Sequence, residues 1–137
     1  MTEAETLLDL ARRCEEATGP DREFDAAIWD AIFGGEMYWS TIQRGDEWCL
    51  RYYPGPPCPE YHFLKRFTDS LDAAVTLVPE GMAWRVDTLM GMIGAIVCEP
   101  DACRSMKTAP CLVLGKTPAL ALCAAALRAR AKESSNG

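Results

Sequence analysis

Phe67-Thr-Asp-Ser-Leu-Asp-Ala-Ala-Val-Thr-Leu-Val-Pro-Glu-Gly81 and Gly115-Lys-Thr-Pro-Ala-Leu-Ala-Leu-Cys-Ala-Ala-Ala-Leu-Arg-Ala-Arg-Ala131 decide the fold, because both read as cleanly capped helices. In the first, Thr68 or Asp69 is the N-cap and Leu71, Ala74, Val75 and Val78 recur at helical spacing. Pro79-Glu80-Gly81 then stops the helix and turns the chain. In the second, Thr117 caps, Pro118 takes the first helical position, and the helix runs to about Ala131. Leu120, Cys123, Ala124 and Leu127 line its buried face. Arg128 and Arg130 are expected in solvent, near a C-terminus that favours cations. The small alanines let this helix lie close against a sheet.

Working outward, Leu7, Leu10, Ala11, Cys14 and Ala17 give a helix over residues 3–17. Pro20 then opens a second helix with the stripe Phe24, Ala27, Ile28, Ala31 and Ile32, ended by Gly34-Gly35. Residues 37–43 and 47–53 are aromatic and β-branched strands joined by a three-residue turn, Arg44-Gly45-Asp46. Neither face of that hairpin is wholly polar, which suggests a sheet covered on both sides. Residues 54–60 hold four prolines and read as a surface loop. Residues 84–89 and 92–98 pair through a turn at Gly91, and 111–114 form a short extra strand. The order α-α-β-β-α-β-β-(β)-α is an α+β protein: one mainly antiparallel sheet of four to five strands with helices packed on it. A single domain over 1–133 and a frayed tail at 134–137 are expected.

The chain has 137 residues, 49% of them hydrophobic and 25% charged, a globular balance. A net charge of −6 with scattered Lys and Arg argues against a protein whose main work is holding extended nucleic acid. No apolar run is long enough for a membrane helix, and the acidic start Met1-Thr-Glu-Ala-Glu-Thr-Leu-Leu lacks signal-peptide order. The expected location is the cytoplasm, where thiols are reduced. Seven cysteines, an odd number, exclude a fully paired framework within one chain.

Glu16-Ala-Thr-Gly-Pro-Asp-Arg-Glu-Phe-Asp-Ala-Ala27, Thr68-Asp-Ser-Leu-Asp-Ala-Ala-Val-Thr-Leu-Val-Pro-Glu-Gly-Met-Ala-Trp-Arg85 and residues 117–131 carry a resemblance spread over both halves of the chain. They resemble small phage- and prophage-encoded proteins with a phage ABA-sandwich domain. The resemblance implies helix–sheet–helix layering and a phage setting, hence the cytoplasm of an infected or lysogenic host. It brings no catalytic set, since the matching segments are caps and core stripes.

Chemistry is sparse. Cys58, His62, Cys98, Cys103 and Cys111 are the one zinc set to weigh, but their spacing is looser than common zinc pairs, so no metal and no cofactor is assigned. His62 is the only histidine, which leaves a Cys–His nucleophile beside Cys58, Cys98 or Cys103 as the sole covalent arrangement. Gly115-Lys116-Thr117 imitates the end of a phosphate-binding loop, yet Pro110 stands where its first glycine belongs. An ordinary N-cap outweighs an anion site there.

The better lead is a set of strand aromatics and cations: Trp39, Trp48, Arg51, Trp84 and Arg85. Rings beside guanidinium groups suit a nucleotide, stacking its base and pairing its phosphate. Buried core tryptophans are the plainer reading. The leading expectation is a non-enzymatic phage accessory protein that binds a nucleotide-type small molecule or a host protein, in one version sequestering a nucleotide-derived immune signal. The other is a structural module that self-associates, as a homo-oligomer, or docks on a partner.

Overall fold

The computed structural model describes residues 2–100 and 112–136. Among these residues ten elements follow one another: α1 Glu3–Glu16, α2 Arg22–Phe33, β1 Trp39–Arg44, β2 Glu47–Tyr52, β3 Glu60–Phe63, α3 Leu71–Val75, β4 Ala83–Leu89, β5 Met92–Cys98, β6 Val113–Gly115 and α4 Pro118–Asn136. The class is α+β, as expected. Among the described residues the strands number six and form two antiparallel sheets, β1-β2-β3 and β4-β5-β6, rather than one sheet of four or five. Among the described residues no strand of one sheet touches a strand of the other.

Among the described elements α4 takes the second sheet as cover and does not touch the first. Every residue from Ala119 to Leu127 is buried, so the helix is covered all round rather than on one stripe. α1 and α3 pack on it, and so does the second sheet through β5, β6 and the edge of β4. Leu120, Cys123, Ala124 and Leu127 are buried as expected. Close approach depends on small residues: a Cβ on Gly115 would lie 2.7 Å from the Ala121 backbone nitrogen. Gly115 is there for packing, and Lys116 reaches back to the Glu16 carbonyl at 3.4 Å, at the C-terminal end of α1.

Local signals account for most element ends. Thr2 and Glu5 form a capping box on α1. Pro20 was expected at the first helical position of α2, but the helix starts at Arg22 and Asp21 is its cap, accepting from the Phe24 amide at 3.2 Å. Ser70 caps α3, and the helix ends at Val75 in turns that run to Val78. The first hairpin closes through two residues, with Arg44 opposite Glu47 and Gly45 at φ 64°. The second closes through Met90 and Gly91, both at positive φ. α4 continues through 134–136, where a frayed tail was expected, and Ser134 donates to Glu3 at 3.3 Å.

The solvent exposure assumed for Arg130 is corrected. Its Nε donates to the carbonyl of buried Leu77 at 2.6 Å, and burial pushes its pKa down. Arg128 pairs with Glu15 of α1.

Candidate functional site

β1 and β2 pair Trp39 with Tyr52, Thr41 with Leu50 and Gln43 with Trp48, which puts these residues on one face of the first sheet. That face meets α2, where the Thr41 hydroxyl donates to Asp30 at 2.9–3.0 Å. Arg51 alternates to the opposite face, in register with Tyr61. Trp84 and Arg85 lie on β4, in the other sheet, where Arg85 is paired with Asp87 at 3.1 Å. The five singled-out residues are therefore not gathered into one pocket. Trp39 and Trp48 share a face, and Trp48 packs half-buried against the core. Arg51, Trp84 and Arg85 stand elsewhere.

Trp39 does line a real cleft. Trp29 and Phe33, one turn apart on α2, tilt against each other at 5.9 Å and form one wall. Trp39 and Leu50 form the other, and Phe63 and Phe67 help to line it. The cleft measures about 450 Å³, within the range of small-molecule sites. Its charged members are Glu36 and Lys65. Trp39 is itself held by rings, with Tyr52 at 4.8 Å and His62 at 5.1 Å. The arrangement offers apolar and π surface to a flat ligand, with one cation and one anion to orient it.

A polar clip that sequence reasoning missed joins the same helix to the same sheet. Asp25 and Thr68 are each 1% exposed. Asp25 Oδ1 accepts from the Thr68 amide at 2.8 Å and from its hydroxyl at 2.7 Å, and Oδ2 accepts from Arg22 at 2.9 Å. Arg22 also donates to the carbonyls of Trp48 at 2.9 Å and Leu64 at 2.8 Å, and to Glu47 at 2.6 Å. One guanidinium thus ties α2 to β2 and to the segment after β3. Burial raises the Asp25 pKa, opposed by the hydrogen bonds from Thr68 and by Arg22. Glu47, exposed and bonded to Arg22, has its pKa lowered. Thr68, expected as an N-cap, is used here instead. The available signal was Arg22 itself: a cation in a helix's first turn opposes the macrodipole and needs another reason to be there.

The sulfur and imidazole groups do not assemble into a centre among the described residues. No group of three or more His, Cys, Asp or Glu there is placed to hold a metal. Cys98 is disulfide-bonded, which removes it as a zinc-binding thiolate. The expectation of uniformly reduced thiols is corrected with it. Cys103 and Cys111 lie outside the described residues. His62 stacks near Trp39 and stands 3.5 Å from Glu60, on the face opposite Cys49, whose register partner is Phe63. Cys14 and Cys123 are buried, Cys123 donating to the Phe67 carbonyl at 3.0 Å, and its interaction with Cys14, together with burial, holds its pKa well up. They are core residues. No helix among the described residues is long and apolar enough to cross a membrane.

No family model matches the chain, and neither a curated protein nor a solved structure matches it. The geometry carries the functional argument alone.

Proposed function

We propose that the chain is a non-catalytic binding protein that takes a small, flat ligand into the cleft between α2 and the first sheet. The cleft itself is the observation that supports this reading: about 450 Å³ walled by Trp29, Phe33 and Trp39, with Lys65 and Glu36 among its lining. An aromatic ring system inserted there would stack on Trp39, and an anionic group would turn towards Lys65. A nucleotide-derived signal fits that chemistry as a base in the cleft with a phosphate at Lys65, without Arg51 or Arg85. Sequestration of such a signal by a phage accessory protein in its host's cytoplasm is the corresponding biological role.

Titration calorimetry against cyclic and ADP-ribose-type nucleotides, run beside tryptophan fluorescence, tests it. The expected result is heat and quenching from at least one compound, both lost in Trp39→Ala. Absence of heat from every compound would defeat the nucleotide version. Heat that survives Trp39→Ala would defeat the cleft.

A second reading rests on the second sheet. Met92 and Leu114 are exposed there on the face that also carries Gly94, and exposed Leu112 leans over Gly94. An apolar face of this kind suits self-association. Sedimentation at rising concentration tests it, and a monomer throughout would count against it.

A further inference from the structure

The outer face of the first sheet has a composition that the cleft does not explain. Alternation places Ser40, Ile42 and Arg44 of β1, Cys49 and Arg51 of β2, and Tyr61 and Phe63 of β3 on it together. No described element packs there: β3 touches only β2, and α2 meets the sheet on its other side. Tyr61 is 42% exposed and Phe63 66%, unusual for rings with nothing to do. Both are dressed with cations. The Arg44 guanidinium sits 3.8 Å from the Tyr61 ring centre, and those of Arg22 and Arg66 lie 5.6 and 5.9 Å from Phe63.

The charges are also left over. The chain carries 20 acidic residues against 14 Lys and Arg, so carboxylates are in excess. Even so, among the described residues neither Arg44 nor Arg51 has a carboxylate partner, and the Arg51 Nε is buried there without any acceptor. The acid on the same face, Glu47, is already bridged by Arg22 at 2.6 Å and Arg66 at 3.5 Å. Arg44 is thus set beside an exposed ring and, like Arg51, left without an acid, whereas Arg22 and Arg66 at Phe63 share Glu47.

We propose that the outer face of the β1-β2-β3 sheet binds short single-stranded nucleic acid, with phosphates on Arg44 and Arg51 and bases on Tyr61 and Phe63. Stacking is sequence-tolerant because every base has a π-face, and flexible single strands can follow a sheet surface. Arg44 and Arg51 are separated by about four residue steps along the strands, roughly 13 Å. That span covers more than one phosphate, which favours an oligonucleotide over a mononucleotide. The net charge of −6 weakens long-range attraction, but fields from distant acids are screened beyond about 8–10 Å. The global balance that argued against extended nucleic acid does not govern this patch. The surface and the cleft share Phe63; Trp39→Ala reports on the cleft, and Tyr61→Ala with the double arginine variant reports on the sheet face, so the two proposals are tested independently.

Fluorescence anisotropy with a labelled twelve-nucleotide thymidine strand tests it, with a duplex of equal length and a labelled polyglutamate peptide as comparisons. The single strand should bind, and the duplex at least tenfold more weakly. Each phosphate contact contributes about −0.7 to the salt slope, so the double variant Arg44→Ala/Arg51→Ala should flatten it by about 1.4. Tyr61→Ala should weaken binding with the slope unchanged. Arg12→Ala, which alters an exposed cation on α1, should change neither, and circular dichroism of each variant confirms its fold. No binding of the single strand, equal binding of the duplex, or an unaltered double variant would overturn the proposal. Tighter binding of polyglutamate would overturn it in favour of an acidic protein segment.

Discussion

The two three-stranded sheets are built to opposite specifications. In the second, β5 is buried along Ala95, Ile96 and Val97, and α4 presses against it with small residues at the contact. In the first, all four residues of β3 are exposed, and the sheet is held to the body through α2 and the Arg22 clip. One sheet gains its stability from area removed from water. The other gains its position from a few directed bonds and keeps aromatic and cationic groups available. A fold that separates these tasks can vary the presenting sheet without repacking its core.

Substitutions at α4 should have the largest effect. Leu127 is fully buried, so Leu127→Ala should cost about 3–5 kcal/mol in denaturant unfolding, through lost transfer energy and a residual cavity. Binding at the cleft should survive in whatever fraction remains folded. A cost below that of any change in the first sheet would break the contrast.

Arg22→Ala comes next. It strips partners from buried Asp25 and from three carbonyls, and leaving such groups unsatisfied should cost about 2–3 kcal/mol. Because the loss falls on the attachment of the first sheet, ligand binding should weaken even where the fold persists. Arg130→Ala should cost about 1–2 kcal/mol for one charged hydrogen bond to a buried carbonyl, more than the sequence reading of an exposed arginine allowed.

The smallest effect is in pH dependence. Asp25 has a raised pKa, so its contribution is fully present below the unfolded carboxylate value and is lost as pH rises through the folded one. Wild type should therefore gain on Asp25→Asn as pH falls across that window, read as the difference between their urea midpoints. Glu47, with a lowered pKa, acts in the opposite sense: its contribution is present above the unfolded value and is lost as pH falls through the folded one. A wild type that loses ground to Asp25→Asn on acidification would mean that the hydrogen bonds from Thr68 and Arg22 outweigh burial at Asp25.

The contrast between sheets also explains what could be read in advance. Capped helices announce themselves locally, and the pattern around Leu120, Cys123 and Leu127 located α4 well. Its burial on every side was not legible, because alanine packs against solvent or core with equal ease and only tertiary contact decides. β3 was hidden by its four-residue length and by the proline-rich loop before it. Arg51 and Trp84 were assigned to one site on residue type, whereas strand pairing puts them on different sheets. Register and sheet membership are long-range properties, and a lone sequence reports them poorly. Of the five, Trp39 lines the cleft because β1 follows α2 directly in chain order and packs beside it.

Native-state hydrogen exchange compares the sheets in a single experiment. Amides of β5 and α4 should exchange only through global unfolding, and those of β1 and β3 through local opening at distinctly lower free energy. If β1 and β3 amides proved as protected as those of α4, the first sheet would belong to the same cooperative core, and the division between a stabilising sheet and a presenting sheet would be wrong.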